Sequence, residues 1–133
     1  DVQHVSMGNP FSAEIRSCLV EACKSLKFEY HNGGTVVTIE GPRFSTKAES
    51  IMFRSWGCDI INMSTVPEIV LARELDLQYQ SMAMSTDYDC WHESEEEVTM
   101  EMIYAVMEKN VNNGKKLIEQ VIPLISKQYK KEN

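Results

Sequence analysis

Two carboxylates, Asp87 and Asp89, flank Tyr88 directly after Thr86. Carboxylates so close raise each other's affinity for a proton, above all when one is buried, and a carboxyl kept protonated near neutral pH can serve as a general acid. The alternative is that one or both only cap their loop by bonding nearby backbone amides. A second candidate is Asp59-Ile-Ile-Asn-Met-Ser-Thr-Val-Pro-Glu68, where a short apolar run meets the hydroxyls of Ser64 and Thr65 just before a helix. Free amides at a helix N-terminus form a seat for an anion such as phosphate. Thr65-x-x-Glu68 also has the form of a capping box, and Pro67 suits a first turn, so the segment could do no more than start a helix. The third candidate is Glu40-Gly-Pro-Arg-Phe-Ser45. Phe44 can lie along a flat ring or fill core, Arg43 suits a carboxylate on a neighbouring element better than a ligand, and Glu40 is ambiguous.

For these groups to meet, the chain must bring three loops together. Residues 11–26 carry Ile15, Leu19, Ala22 and Leu26 at helical spacing. His31-Asn-Gly-Gly34 breaks the chain, and the β-branched run Thr35–Ile39 reads as a strand. A helix follows from Thr46, with Thr46-x-x-Glu49 as a capping box, Ala48, Met52, Phe53 and Trp56 on its inner face, and Gly57 as its terminal glycine. The strand at Asp59, a helix over Val66–Leu75 and a third strand over Leu77–Ser85 come next. The acidic run Glu93–Glu97 suits the positive end of a last helix, with Ser94-x-x-Glu97 as a further candidate cap. Ile103, Val106, Val111, Leu117, Ile118 and Val121 form that helix's stripe through Gly114 to Pro123, and Lys127–Asn133 reads as a frayed tail. Alternating strands and helices predict an α/β layer of largely parallel strands, in which ligands bind beyond the carboxyl ends of the strands. Glu40–Ser45, Met63–Thr65 and Thr86–Asp89 fall at those ends and should converge.

Composition narrows the partners. The 133 residues suffice for one domain, and a formal charge of −7 argues against nucleic acid or an anionic membrane as the main partner. No apolar run approaches the roughly 20 residues of a membrane span, and the N-terminus lacks the regions of a signal peptide, so a cytoplasmic location is expected. Cys18, Cys23, Cys58 and Cys90 have no metal spacing and read as reduced and mostly buried, with Cys18 and Cys23 on different helix faces. His4, His31 and His92 are too scattered to suggest a metal cluster, and no metal or cofactor is expected.

Three segments, Glu40-Gly-Pro-Arg-Phe44, Ile61-Asn-Met-Ser-Thr-Val-Pro-Glu68 and Ser85-Thr-Asp-Tyr-Asp-Cys-Trp91, occur in the order and spacing of one family. Together they resemble the trimeric purine nucleoside phosphorylases, and within that family the branch that cleaves methylthioadenosine, over residues 4–121. The resemblance implies the C-terminal part of the nucleoside phosphorylase fold, a mixed, mostly parallel sheet flanked by helices. It implies phosphorolysis of methylthioadenosine to adenine and 5-methylthioribose 1-phosphate, with inorganic phosphate as co-substrate. Ser64 would donate to the phosphate, a position that resembles threonine in many relatives of that branch, and Met63 would pack on the ribose. Phe44 would lie along the purine and Thr86 would line the base pocket. Asp87 would face the imidazole side of the base as the catalytic acid, and Asp89 would reach the exocyclic amino group. His4 matches a residue that reaches a neighbouring subunit's pocket, which implies a homotrimer.

Two departures from the guanosine and inosine enzymes of the family bear on substrate choice. Those carry a glutamate after the loop phenylalanine and an asparagine at the first aspartate, where this chain has Ser45 and Asp87. A carboxylate acceptor suits an amino purine, whereas an amide can also donate to a keto oxygen. Val98, Met100 and Ile103 match positions that line the methylthio pocket; without the family they are simply apolar residues at a helix start. The family's glycine-rich phosphate loop and Arg-His segment have no counterpart here, so residues 1–133 are expected to be a single, incomplete domain that needs the N-terminal half of the same enzyme. A hydrolase of methylthioadenosine or adenosine, or a non-catalytic purine-binding subunit, are the alternatives.

Overall fold

The computed structural model describes residues 4–92 and 100–130, apart from the side chains of 100, 102 and 103. The first helix, α1, spans Ala13–Leu26 and starts where Ser12 Oγ accepts a hydrogen bond from the Ile15 amide at 3.2 Å. It stops at Lys27, whose left-handed backbone (φ 56°) turns its amide back onto the Cys23 and Lys24 carbonyls. The last helix, α4 (residue range Met100–Tyr129), lies against it. Ala22, 0% exposed, lets the two backbones approach, and Cys18, Cys23, Leu117 and Val121 complete the buried seam. Leu19, Leu26, Phe28 and Met82 pack around it.

Cys18 and Cys23 thus share one core rather than lying on different faces, because the buried stripe of α1 is wide enough to take both sides of Ala22. Burial pushes both thiols up, Cys18 further helped by nearby Glu21. Cys58 is half-buried and Cys90 exposed, so the expectation of mostly buried cysteines holds for two of the four.

Strand β1 (Val36–Thr38) and strand β2 (Ile60–Asn62) pair in parallel, with Val36 opposite Ile60 and Thr38 opposite Asn62. Their crossover contains α2, Lys47–Ser55. The capping box foreseen at Thr46 is formed: the Glu49 amide donates to Thr46 Oγ1 at 3.2 Å and the Thr46 amide to Glu49 Oε2 at 2.8 Å. Gly57, at φ 76°, closes the helix as a terminal glycine. The inner face differs from the predicted one. Ser50 is the buried residue of α2, while Ala48 and Met52 are exposed, Trp56 is 66% exposed and Phe53 half-buried. Phe53 and Trp56 meet edge to face.

Helix α3 (Thr65–Glu74) follows β2 directly. Ser64, not Thr65, is its N-cap, and the predicted Thr65–Glu68 box is not formed. Thr65 is buried inside the first turn, its amide bonded to Asn62 Oδ1 at 3.4 Å, and Glu68 instead accepts from the Tyr79 hydroxyl. The expected third strand, Leu77–Ser85, has no ladder, and no mixed sheet forms among the described residues. Isolated bonds tie that segment down: Ser12 N to Tyr79 O at 2.7 Å and Asn110 Nδ2 to Ser85 O at 2.8 Å. A strand needs neighbours for its backbone groups, and none of the described residues lies beside this one in register.

Helix α4 passes through Gly114 and Pro123 without ending and continues to Tyr129, so the tail expected to fray from Lys127 is helical for three more residues. No helix among the described residues is long and apolar enough to cross a membrane. Val66, Leu71, Leu75, Leu77, Ile118 and Ile122 are all exposed.

Candidate active site

The loop after β1 is bolted to the first turn of α2. Arg43 forks onto Glu49, Nη1 to Oε2 at 2.8 Å and Nη2 to Oε1 at 2.7 Å, and also donates to the Phe44 carbonyl. Arg43 therefore pairs with a neighbouring carboxylate, as its type suggested. The Arg43 guanidinium, then the Thr46 amide and hydroxyl, hold the Glu49 carboxyl down at about 2. This bracing leaves Phe44 standing out from the loop, 84% exposed. Ser45, next in sequence, is half-buried, and its Oγ is buried with no hydrogen-bond partner among the described residues. An orphaned hydroxyl costs roughly 1–3 kcal/mol.

The loop after β2 is set by Asn62. Its Oδ1 accepts from Thr38 Oγ1 at 2.9 Å across the sheet and from the Thr65 amide, while its Nδ2 donates to Thr65 Oγ1. One side chain thus joins both strands to the start of α3. With Thr65 consumed, Ser64 is exposed at the N-terminus of α3 and its hydroxyl makes no capping bond. That leaves a hydroxyl beside the positive end of a helix. Met63 reaches the first loop: at Gly41 (φ 69°) a Cβ would stand 2.7 Å from Met63 Sδ, so any other residue there strains the backbone and pushes the thioether aside.

In the third loop Thr86 Oγ1 donates to Asp87 Oδ1 at 2.6 Å, and Asp87 is exposed. Asp89 turns the other way. Its Oδ2 accepts from Ser50 Oγ and its Oδ1 from the Cys90 amide at 2.9 Å, so the two aspartates face different partners. Cys90 Sγ donates to the Ser45 carbonyl at 3.5 Å, which seats this loop against the first.

The three loops are therefore joined in a chain, Met63 to Gly41 and Ser45 to Cys90. They do not yet enclose a nucleoside. The cleft beside them, lined by Ile39, Glu40, Gly41, Arg43 and Glu49, has a volume of about 110 Å³, against the roughly 300 Å³ or more of usual small-molecule sites. A larger apolar concavity of about 360 Å³ lies between Met82, Met84 and Thr86 on one side and Met107, Val111 and Ile118 of α4 on the other. Phe44, Ser64 and Asp87 line neither. His4 is exposed near the start of the chain. Val98, and the side chains of Met100 and Ile103, lie outside the described residues. Among the described residues no three His, Cys, Asp or Glu gather to hold a metal ion.

Residues 1–123 match the family model described as the phosphorylase superfamily. The chain belongs to the phosphorylase superfamily. Within the superfamily it is 50% identical over 124 residues to an S-methyl-5'-thioadenosine phosphorylase of Danio rerio, covering 93% of this chain and 44% of that relative. It is 51% identical over 126 residues to the enzyme of the same name from Aedes aegypti, covering 94% of this chain and 45% of the relative. The chain thus spans about half the length of the curated relatives it matches. Methylthioadenosine phosphorylase from Schistosoma mansoni in complex with adenine superposes with a TM-score of 0.85 at 35% identity, over 94% of this chain and 49% of that one. A methylthioadenosine phosphorylase from an antarctic soil metagenomic library gives 0.89 at 38% identity, over 96% and 46%. The superfamily fold expected from the three motifs is the fold observed, an α/β arrangement with a small parallel sheet.

Three residues of this phosphorylase superfamily chain escaped sequence reasoning: Asn62, which joins strands to helix, Ser50, which holds Asp89, and Arg54, whose guanidinium lies 3.9 Å over the Trp91 ring. The available signal at Ser50 was a small polar residue inside the run Ser50-Ile-Met-Phe53. Apolar neighbours on a short helix hid it.

Proposed function

We propose that this chain carries the purine and phosphate loops of an S-methyl-5'-thioadenosine phosphorylase, forming a single but incomplete domain that works with a complementary N-terminal half. The observation that carries the reading is the linkage of the three loops, Gly41 against Met63 and Ser45 against Cys90, beside an orphaned Ser45 hydroxyl and an uncommitted Ser64 hydroxyl at a helix N-terminus. The names of the relatives and the adenine bound by the Schistosoma mansoni enzyme support the same substrate class.

Inorganic phosphate sits at Ser64 and the start of α3, with Met63 against the ribose. Phe44 lies along the purine, Ser45 and Thr86 line the base pocket, and Asp89 offers a remaining lone pair to the exocyclic amino group. A phosphate oxygen attacks the anomeric carbon as the glycosidic carbon–nitrogen bond breaks through an oxocarbenium-like state. The bonding pair leaves with the purine, and the Asp87 carboxyl, by a hydrogen bond or a proton, relieves the negative charge gathering on the imidazole nitrogen facing it. The products are adenine and 5-methylthioribose 1-phosphate. Val98, Met100 and Ile103 form the methylthio pocket, and His4 reaches the site of a neighbouring protomer in a homotrimer. The enzyme works in the cytoplasm with no cofactor beyond phosphate as co-substrate, and it takes neither nucleic acid nor membrane as partner.

Adenine release from methylthioadenosine tests this. The assembled enzyme should release adenine only with phosphate present, and the isolated chain should release none. Release without phosphate would indicate hydrolysis, and binding of methylthioadenosine without cleavage would indicate a purine-binding subunit.

A further inference from the structure

The loop that carries Asp87 is fastened to α2 by contacts from Ser50 and Arg54. Ser50 is 1% exposed in the middle of α2, where a serine hydroxyl ordinarily bonds the carbonyl one turn back. Here the Ser50 amide makes the usual helical bond to the Thr46 carbonyl at 2.9 Å, while the hydroxyl reaches across 39 residues of sequence to Asp89 Oδ2. The other Asp89 oxygen holds the Cys90 amide, and the Asp89 carbonyl accepts from the His92 amide at 3.0 Å, which closes a turn. One helical turn beyond Ser50, Arg54 covers Trp91 at 3.9 Å, and Tyr88 stacks on His92 at 4.5 Å between ring centroids. Residues 88–92 are thus held by hydrogen bond, cation–π contact and stacking. Asp87 sits immediately before that anchored stretch, and its own described bond is with Thr86 alone.

We infer that Ser50 is a positioning residue for the purine-side carboxylates: its buried hydroxyl fixes Asp89, and through the turn at 89–92 it fixes where Asp87 stands. The inference rests on the phosphorolysis reading for its catalytic half, while the anchor itself stands on geometry. Ser50 is buried and acts through Asp89, so its removal shifts that carboxylate and, through the turn at 89–92, Asp87. A misplacement of about 1 Å can cost on the order of 100-fold in rate. The phosphate seat at Ser64 belongs to a different loop, held by Asn62, and should not feel the change.

The test uses Ser50→Ala, Ser50→Cys and Ser50→Thr in the assembled enzyme. Ala and Cys should lower kcat/KM for methylthioadenosine by about 10- to 100-fold, with the KM for phosphate within about twofold of the parent. Cys keeps the volume but is a weak donor, so it remains informative if Ala folds poorly. Thr keeps the hydroxyl and should recover most of the loss. Equal damage to the phosphate and nucleoside constants, or full activity in the Cys variant, overturns the inference. A second readout needs no turnover: with fluorotryptophan label, the Trp91 fluorine signal, assigned by its loss in Trp91→Phe, should shift or broaden in Ser50→Cys. An unmoved Trp91 signal overturns the anchor. A parent enzyme without phosphate-dependent cleavage overturns the functional reading and the catalytic half of the inference, and leaves the Trp91 signal to judge the anchor alone.

Discussion

Replacing Gly41 by alanine should strike the joint between the first two loops. Gly41 holds φ at 69°, a left-handed backbone that costs a residue with a Cβ roughly 1–2 kcal/mol. The new Cβ would stand 2.7 Å from Met63 Sδ, 3.4 Å from its Cγ and 3.6 Å from its Cε, so the thioether must move. Methionine is flexible, and driving it off its rotamer adds about 0.5–1.5 kcal/mol. Alanine also reduces the freedom of the unfolded chain, which offsets about 0.4–1 kcal/mol. The net destabilisation is then about 0.5–3 kcal/mol. Urea unfolding of the assembled enzyme should show a lower midpoint at an unchanged slope, and, on the proposal that Met63 packs on the ribose, the KM for methylthioadenosine should rise. In a Met63→Ala background the same substitution should lose the collision and keep only the backbone strain, a coupling of roughly 1 kcal/mol. A neutral Gly41→Ala, or a cycle that adds without coupling, would refute the contact between the two loops.

Three further outcomes follow from the same structure. Glu49 ionises at about 2 instead of 4.5, so its ionised form favours the fold; that contribution is intact above pH 4.5 and lost as pH falls toward 2, and Glu49→Gln should flatten the stability profile in that window. Tyr79 is raised from 10.0 to about 12 by burial first and then by its bond to Glu68. Its neutral form favours the fold, so stability should fall between pH 10 and 12, and Glu68→Gln should lower the last tyrosine transition seen by ultraviolet titration. Asp87→Asn should cut adenine release and move preference toward keto purines, read as the ratio of kcat/KM for inosine to that for methylthioadenosine; an unchanged ratio would separate Asp87 from base recognition.

What could be read from sequence was local. The capping box at Thr46 and Glu49 and the glycine stop at Gly57 depend on residues a turn or two apart, and both are present; of the last helix's stripe Leu117 and Val121 are buried, whereas Val111 and Ile118 are exposed. Errors came where distant groups decide. Thr65 and Glu68 have the spacing of a cap, but Asn62 from the strand and Tyr79 from beyond the helix took their polar atoms first. Leu77–Ser85 has strand composition and no ladder, since pairing depends on neighbours and not on propensity. Phe44, Ser64 and Asp87 were recognisable by motif, whereas Ser50 became visible only when its hydroxyl was seen to reach a carboxylate from another loop.

The most direct measurement is a crystal structure of the assembled enzyme with adenine and phosphate. Phosphate should lie on the Ser64 hydroxyl at the start of α3, and adenine should have its face on Phe44 and its imidazole edge about 2.6–3.2 Å from Asp87. Adenine bound against α4 between Met84 and Ile118, or phosphate seated away from Ser64, would contradict the convergence of the three loops on one nucleoside.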